Sequence, residues 1–161
     1  MKETTAKKKF MWNMAGSLCN SLSSMLLLII VNRISGESRG GFFALAYSTA
    51  QLLFSVGGFE IRPVQSTDIK NKFTFNQYFT SRMLNCIIML ICMIGYIVVN
   101  GYTGVEALTV FWILGYRMVE AVADVYSGLF QQRERIDISG KEMLMRSGIS
   151  TITFTIILWL T

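Results

Sequence analysis

Histidine is absent from the 161 residues, proline occurs once, and only 16% of the residues are charged. Without histidine there is no histidine base, no histidine-ligated metal or haem, and no Ser/His/Asp or Cys/His pairing. Cysteine is scarce too. Cys19, Cys86 and Cys92 are odd in number and sit inside apolar runs, so they read as small buried hydrophobes, with no disulfide framework and no metal site. No cofactor is expected. A soluble domain carries about 25% charged residues. This chain falls well below that, is 52% hydrophobic with a mean hydropathy of +0.46, and holds its apolar residues in long blocks. Its expected solvent is a bilayer.

Five apolar runs divide the chain, at about 10–31, 41–59, 83–99, 107–130 and 147–161. Each of the first four is long enough to cross ~30 Å of hydrocarbon at 1.5 Å per residue, the third at the short limit. Lipid admits only helices or closed barrels, and these runs lack the alternation of barrel strands. The expected fold is therefore all-α, a polytopic membrane helical bundle of four complete spans and a partial fifth. A signal peptide competes for the first run, but the run is long, contains Asn13 and Asn20, and ends without a small-x-small cleavage site.

Lys and Arg set the orientation. The N-terminal tail holds Lys2, Lys7, Lys8 and Lys9; the second connection holds Arg62, Lys70, Lys72 and Arg82; the last holds Arg133, Arg135, Lys141 and Arg146. The opposite side has only Arg33 and Arg39, in the first connection, since 100–106 has neither residue. Twelve cations against two place the N-terminus in the cytoplasm by the positive-inside rule. The net charge of +5 is thus a topology signal. The charges are spread over three loops without a stacking motif, which argues against a nucleic-acid partner.

The outer turns are expected around Gly36, Gly40 and Gly41, and around Asn100, Gly101 and Gly104. Pro63 should end the second span. Thr67 or Asp68 is positioned to cap a short interfacial helix leading into 73–82. Its aromatics Phe73, Phe75, Tyr78 and Phe79 would lie at the headgroups and its Lys70 and Lys72 against anionic lipid, although an ordinary juxtamembrane loop fits equally well.

Two helices carry polar stripes. In the fourth run Arg117, Glu120, Asp124, Gly128 and Gln131 share an arc of about 80° at 100° per residue, opposite Met118, Val119, Val122, Tyr126 and Leu129. A charge near the bilayer centre costs about 2.5–3.5 kcal/mol on insertion scales. Arg117 should pair with Glu120, and Glu120 should lie beside Asp124. Such charges serve either as a structural ion pair or as part of a substrate or ion pathway; the acids either hold Arg117, exchange a proton, or meet a cation. In the first run Asn13, Ser17, Asn20 and Ser24 share a second narrow arc, with Gly16 and Ser23 close by. Helix packing and cavity lining both account for it. If the two stripes share an aqueous cleft, cysteines placed along both will react with a membrane-impermeant thiol reagent; labelling of the apolar faces alone contradicts this.

Three segments resemble bacterial polysaccharide-biosynthesis flippases. The first is Trp12-Asn13-Met14-Ala15-Gly16, followed by Val31-Asn32-Arg33 and the glycine-rich turn. The second is Phe59-Glu60-Ile61-Arg62-Pro63-Val64-Gln65-Ser66-Thr67-Asp68, an Arg-x-x-Gln-x-x-Asp exit from the second helix. The third is Gly115-Tyr116-Arg117, Glu120, Asp124, Tyr126 and Gly128 to Arg135, then Ile136-Asp137-Ile138-Ser139-Gly140-Lys141 as a loop ahead of the fifth span. In order and spacing they are similar to the oligosaccharide branch of the multidrug/oligosaccharidyl-lipid/polysaccharide exporter superfamily.

The resemblance implies the N-terminal lobe of an exporter with about 12–14 helices around a central cavity. It implies a bacterial cytoplasmic membrane and an undecaprenyl-pyrophosphate-linked sugar moved from the inner to the outer leaflet. The partners it implies are that lipid-linked oligosaccharide, membrane lipids, and the glycosyltransferases and polymerase of the same pathway. Arg117 is its first candidate for pyrophosphate or sugar contact, with Glu120 and Asp124 positioning it and Arg33 and Arg62 at the two mouths. Asn13, Asn20 and Gln131 complete the candidate lining. Residues 1–161 read as a part of such a protein that does not transport alone. The alternatives are a multidrug exporter of the same superfamily, whose first-span acids this chain lacks, and a membrane assembly protein without transport. A membrane enzyme would need surface acid/base groups or a metal motif that the sequence does not offer.

Overall fold

The computed structural model describes residues 2–58, 61–68, 70 and 72–160, the side chains of 2–5 and 56–58 excepted. Phe59 and Glu60, where the second run ends and the second motif opens, lie outside the described residues, as do Thr161 and the side chain of Lys2. The described residues form six helices and no strand: α1 (Lys2–Ser35), α2 (Glu37–Gly58), α3 (Ile61–Thr67), α4 (Phe75–Val99), α5 (Gly104–Gln132) and α6 (Ile136–Leu160). Three stretches, Ala6–Ser35, Phe75–Val99 and Ile136–Leu160, are long and apolar enough to cross a membrane. The described residues thus make an all-helical fold with three helices of membrane-spanning length and apolarity.

Several boundaries differ from the sequence expectation. The turn after α1 is a single residue: Gly36 takes φ +84°, a conformation glycine enters without a Cβ penalty, and the Gly40 amide bonds back to its carbonyl at 2.9 Å. Pro63 does not close the second helix. It lies in the first turn of α3, where its missing N–H is an orphan in any case. Nor is there a separate interfacial helix: 75–82 are the opening turns of α4. Thr74 caps them in a box, its amide and hydroxyl donating to Gln77 Oε1 at 2.8 and 3.2 Å, and no proline or glycine interrupts the helix before Gly95. α6, the helix of the fifth apolar run, starts at Ile136 and has 25 residues, longer than that run. Lys141 and Arg146, read as loop cations, are helical, and Arg146 donates to Glu142 one turn earlier at 2.8 Å. Of the cysteines Cys86 is buried, Cys19 half-buried and Cys92 exposed, so burial holds fully only for Cys86.

The chain separates into two compact units, 1–42 with 133–161, and 43–132. In the first, α1 and α6 run parallel. Lys9 Nζ donates to the Glu134 carbonyl at 2.8 Å, the Lys141 ammonium stands 5.2 Å from the Trp12 ring centre, and Ser147 Oγ contacts Cys19 Sγ at 3.4 Å, so the contacts advance together along both helices. Two glycines permit the close approach: a Cβ on Gly16 would meet the Gly140 carbonyl, and one on Gly140 would meet the Trp12–Asn13 backbone. Small residues at such crossings gain van der Waals contact between backbones, the main attraction available in lipid. For Gly16, therefore, packing is the role the structure shows.

In the second unit α4 and α5 form an antiparallel hairpin. Asn100 ends α4 with its amide on the Tyr96 carbonyl at 3.1 Å, and Gly101 and Gly104 take φ of 66° and 57°. Ile61, Tyr78 and Val125 bring α3, α4 and α5 into one core, against which Phe75 and Phe79 pack. Tyr126, expected on a lipid-facing side, closes this cluster with ring centres 5.3 Å from Phe75 and 6.4 Å from Phe79.

Candidate functional site

The charged face of α5 organises the second unit. Arg117 and Glu120 form the expected i, i+3 ion pair, and both residues are buried. The Arg117 guanidinium also stands 4.4 Å from the Tyr47 ring centre, with Tyr116 and Phe54 at 5.9 and 6.0 Å. A carboxylate and a π face together replace the water it has lost.

Asp124 does not turn towards Glu120. Its two oxygens separate two arginines: Arg62 Nη1 donates to Oδ1 at 3.1 Å and Arg82 Nη2 to Oδ2 at 2.8 Å. Arg82 is 1% exposed, while Arg62 keeps 26% of its side chain in the open. Sequence reading missed Arg82 because it fell among cations assigned to a loop. The signal was present: Tyr78, Arg82, Cys86, Met89 and Met93 repeat at helical spacing, and all five are buried. Arg82 therefore lies on the inward face of α4. In these ion pairs Arg62 and Arg82 share the one Asp124 carboxylate, while Arg117 has Glu120; over residues 43–132 as a whole five Lys and Arg balance five Asp and Glu.

The Arg62-x-x-Gln65-x-x-Asp68 spacing acquires a geometric meaning. Arg62 meets Asp124; the fully buried Gln65 lies against Gly128, where a Cβ would strike its amide; and the Asp68 carbonyl accepts from Gln132 Nε2 at 2.7 Å. Positions three apart on one side thus register with Asp124, Gly128 and Gln132, four apart along α5. The segment is a dock that carries the Arg62 guanidinium to the α5 carboxylate.

Asp68 ties the same segment to α4. Its carboxylate accepts from the Lys72 and Phe73 amides at 2.9 and 3.0 Å and from the Tyr78 hydroxyl at 2.9 Å. The two backbone amides, aided by Tyr78, hold the carboxyl below its ordinary value. Because the folded carboxyl titrates below an unfolded value of about 3.9, its contribution is complete at neutral pH and is lost as pH falls through the folded value, below about pH 4. Hydrogen exchange checks this: protection of the Lys72 and Phe73 amides, relative to intrinsic rates, should fade on acidification below about pH 4 and be lost at neutral pH in Asp68→Asn. Unchanged protection in the variant contradicts it.

The remaining candidates are placed separately. Gln131 is exposed near the end of α5. Asn13, Asn20 and Arg33 belong to the unit of α1 and α6, the asparagines half-buried and Arg33 exposed in the last turn of α1. Among the described residues no group of acids and cysteines could hold a metal ion.

Comparison of the chain with family models, with characterised proteins and with solved structures yields no match.

Proposed function

We propose that the chain is the N-terminal part of a transporter that moves a lipid-linked, phosphate-bearing oligosaccharide across the bacterial cytoplasmic membrane for cell-surface polysaccharide synthesis. The observation that carries this reading is the Arg62–Arg82–Asp124 cluster, two cations on one carboxylate within a membrane helix hairpin. A pyrophosphate and its sugars cannot enter hydrocarbon without substitute partners, since each unsatisfied polar group costs several kcal/mol there. An arginine fork supplies two donors to a phosphate. Arg62 is the more accessible arginine of the cluster, and Arg117 lies on the same face of α5 as Asp124. Two arginines meeting at one carboxylate offer donors that suit an anionic lipid better than the organic cations of a multidrug exporter. The order of the three motifs supports the oligosaccharide branch.

The α4–α5 hairpin supports α5 as a crossing helix. α5 follows α4 through a four-residue turn and packs back along it, so it shares the depth of α4 despite its charges.

The test is binding. With the full chain in nanodiscs, an undecaprenyl-pyrophosphoryl disaccharide should give a saturable change in tryptophan fluorescence. Arg62→Gln, which removes one charge-assisted contact of about 1.5–3 kcal/mol, should weaken it by roughly tenfold or more. No binding by the unsubstituted chain overturns the proposal.

A further inference from the structure

A groove of about 350 Å³ runs between α3 and the first half of α4, within the range of about 300–1,000 Å³ typical of small-molecule sites. One wall is apolar: Ile61 and Val64 of α3, with Phe73. The other is a polar stripe on α4, where Gln77, Ser81 and Asn85 follow one another at four-residue spacing. This stripe belongs to a helix long and apolar enough to cross the membrane. Asn85 lies about 15 Å along it from Phe75 at 1.5 Å per residue, beyond the headgroup level of its first turn.

Gln77 is committed to the Thr74 cap and the Tyr78 hydroxyl to Asp68. Ser81 and Asn85 make no hydrogen bond with the described residues, and Ser81 is exposed. Hydrocarbon filling the groove would leave an amide and a hydroxyl without partners at a cost of several kcal/mol. A hydroxyl-rich occupant removes that cost. The apolar wall and the edge-to-face pair of Phe73 and Tyr78, ring centres 5.9 Å apart, suit the C–H faces of a sugar ring. A cation stands at the rim: the Lys72 ammonium is 5.5 Å from the Phe73 ring centre. The nearby acid, Asp68, is spent on two amides and Tyr78. Charge complementarity thus calls for hydroxyl groups next to an anion.

We propose that this groove holds the sugar unit of the lipid-linked substrate while its phosphate meets Lys72 at the rim. The inference rests on the transporter reading above and adds a subsite to it. The experiment uses the full chain in phosphatidylcholine nanodiscs and three probes: an undecaprenyl-pyrophosphoryl disaccharide, undecaprenyl pyrophosphate without sugar, and phosphatidylglycerol. Asn85→Leu should weaken the sugar-bearing lipid at least tenfold and leave the sugar-free lipid unchanged; Ser81→Ala, a milder change, should act in the same direction. Equal loss for both lipids, or loss for neither, overturns the subsite and leaves the transporter reading in place. Displacement of the sugar-bearing lipid by equimolar phosphatidylglycerol also overturns it, marking a site for bulk lipid. Failure of the unsubstituted chain to bind either undecaprenyl lipid overturns both readings.

Discussion

Asp124→Asn should destabilise the second unit by about 3 kcal/mol or more, because it leaves the nearly inaccessible Arg82 charge without its carboxylate. The substitution preserves shape, so the loss reports charge and not a cavity. Two features set its size. Arg82 cannot turn to solvent, since the helix face that carries it also carries Cys86, Met89 and Met93. Each Asp124 oxygen is used by a different arginine, so the substitution removes the shared carboxylate from both. Arg62→Gln breaks only the exposed arm and should cost below about 1 kcal/mol, in the range of solvent-accessible pairs. Unfolding titrations in mixed micelles measure both. The contrast between them is the diagnostic: equal small losses would mean that Arg82 finds other partners and that Asp124 does not organise the hairpin.

Gly140→Leu should separate α1 from α6. The side chain would have to occupy the position of the Trp12–Asn13 backbone, and backbone does not yield as a flexible side chain can. Overpacking in a close-packed interior costs about 1–3 kcal/mol even where side chains give way, and here the whole crossing must open. Ser147→Cys provides the reporter, since Ser147 Oγ lies 3.4 Å from Cys19 Sγ. Oxidation should join Cys19 to the new cysteine in the parent chain. Adding Gly140→Leu should lower the yield about tenfold, the equivalent of ~1.4 kcal/mol in the docking equilibrium. Gly148→Leu, at a position with nothing within 4 Å of an added Cβ, should leave it intact. Undiminished cross-linking in the Gly140 variant would contradict the close crossing.

Helix identity was legible from the lengths of the apolar runs, because lipid leaves no other backbone solution. Helix boundaries were not. Hydropathy marks where a helix meets hydrocarbon, whereas the helix itself extends as far as its backbone bonds are satisfied. α4 therefore reaches back to the Thr74–Gln77 box, and α6 begins at Ile136, eleven positions before its apolar run. That displacement also hid the larger part of the charge cluster. Once 73–82 was taken as a membrane-surface segment, Arg82 became a topology charge and the partner of Asp124 was lost. The Arg117–Glu120 pair was legible because its partners are neighbours on one helix. The Asp124 contacts cross between helices, and no periodicity within α5 predicts which of two acids an incoming arginine will choose. Likewise, Gln65 and Gly128 each belong to a pattern within its own segment, but their correspondence exists only in the register of α3 on α5.

Arg62, which shares the Asp124 carboxylate with Arg82, is the guanidinium that meets an anionic lipid in this account. The most direct measurement is a competition in nanodiscs between the undecaprenyl-pyrophosphoryl disaccharide and tetraphenylphosphonium, read with the unsubstituted chain and with Arg62→Gln. The account predicts that the anionic lipid binds, that the cation neither binds nor displaces it, and that Arg62→Gln weakens only the lipid. Saturable binding of the cation, strengthened by loss of the Arg62 charge, would contradict it.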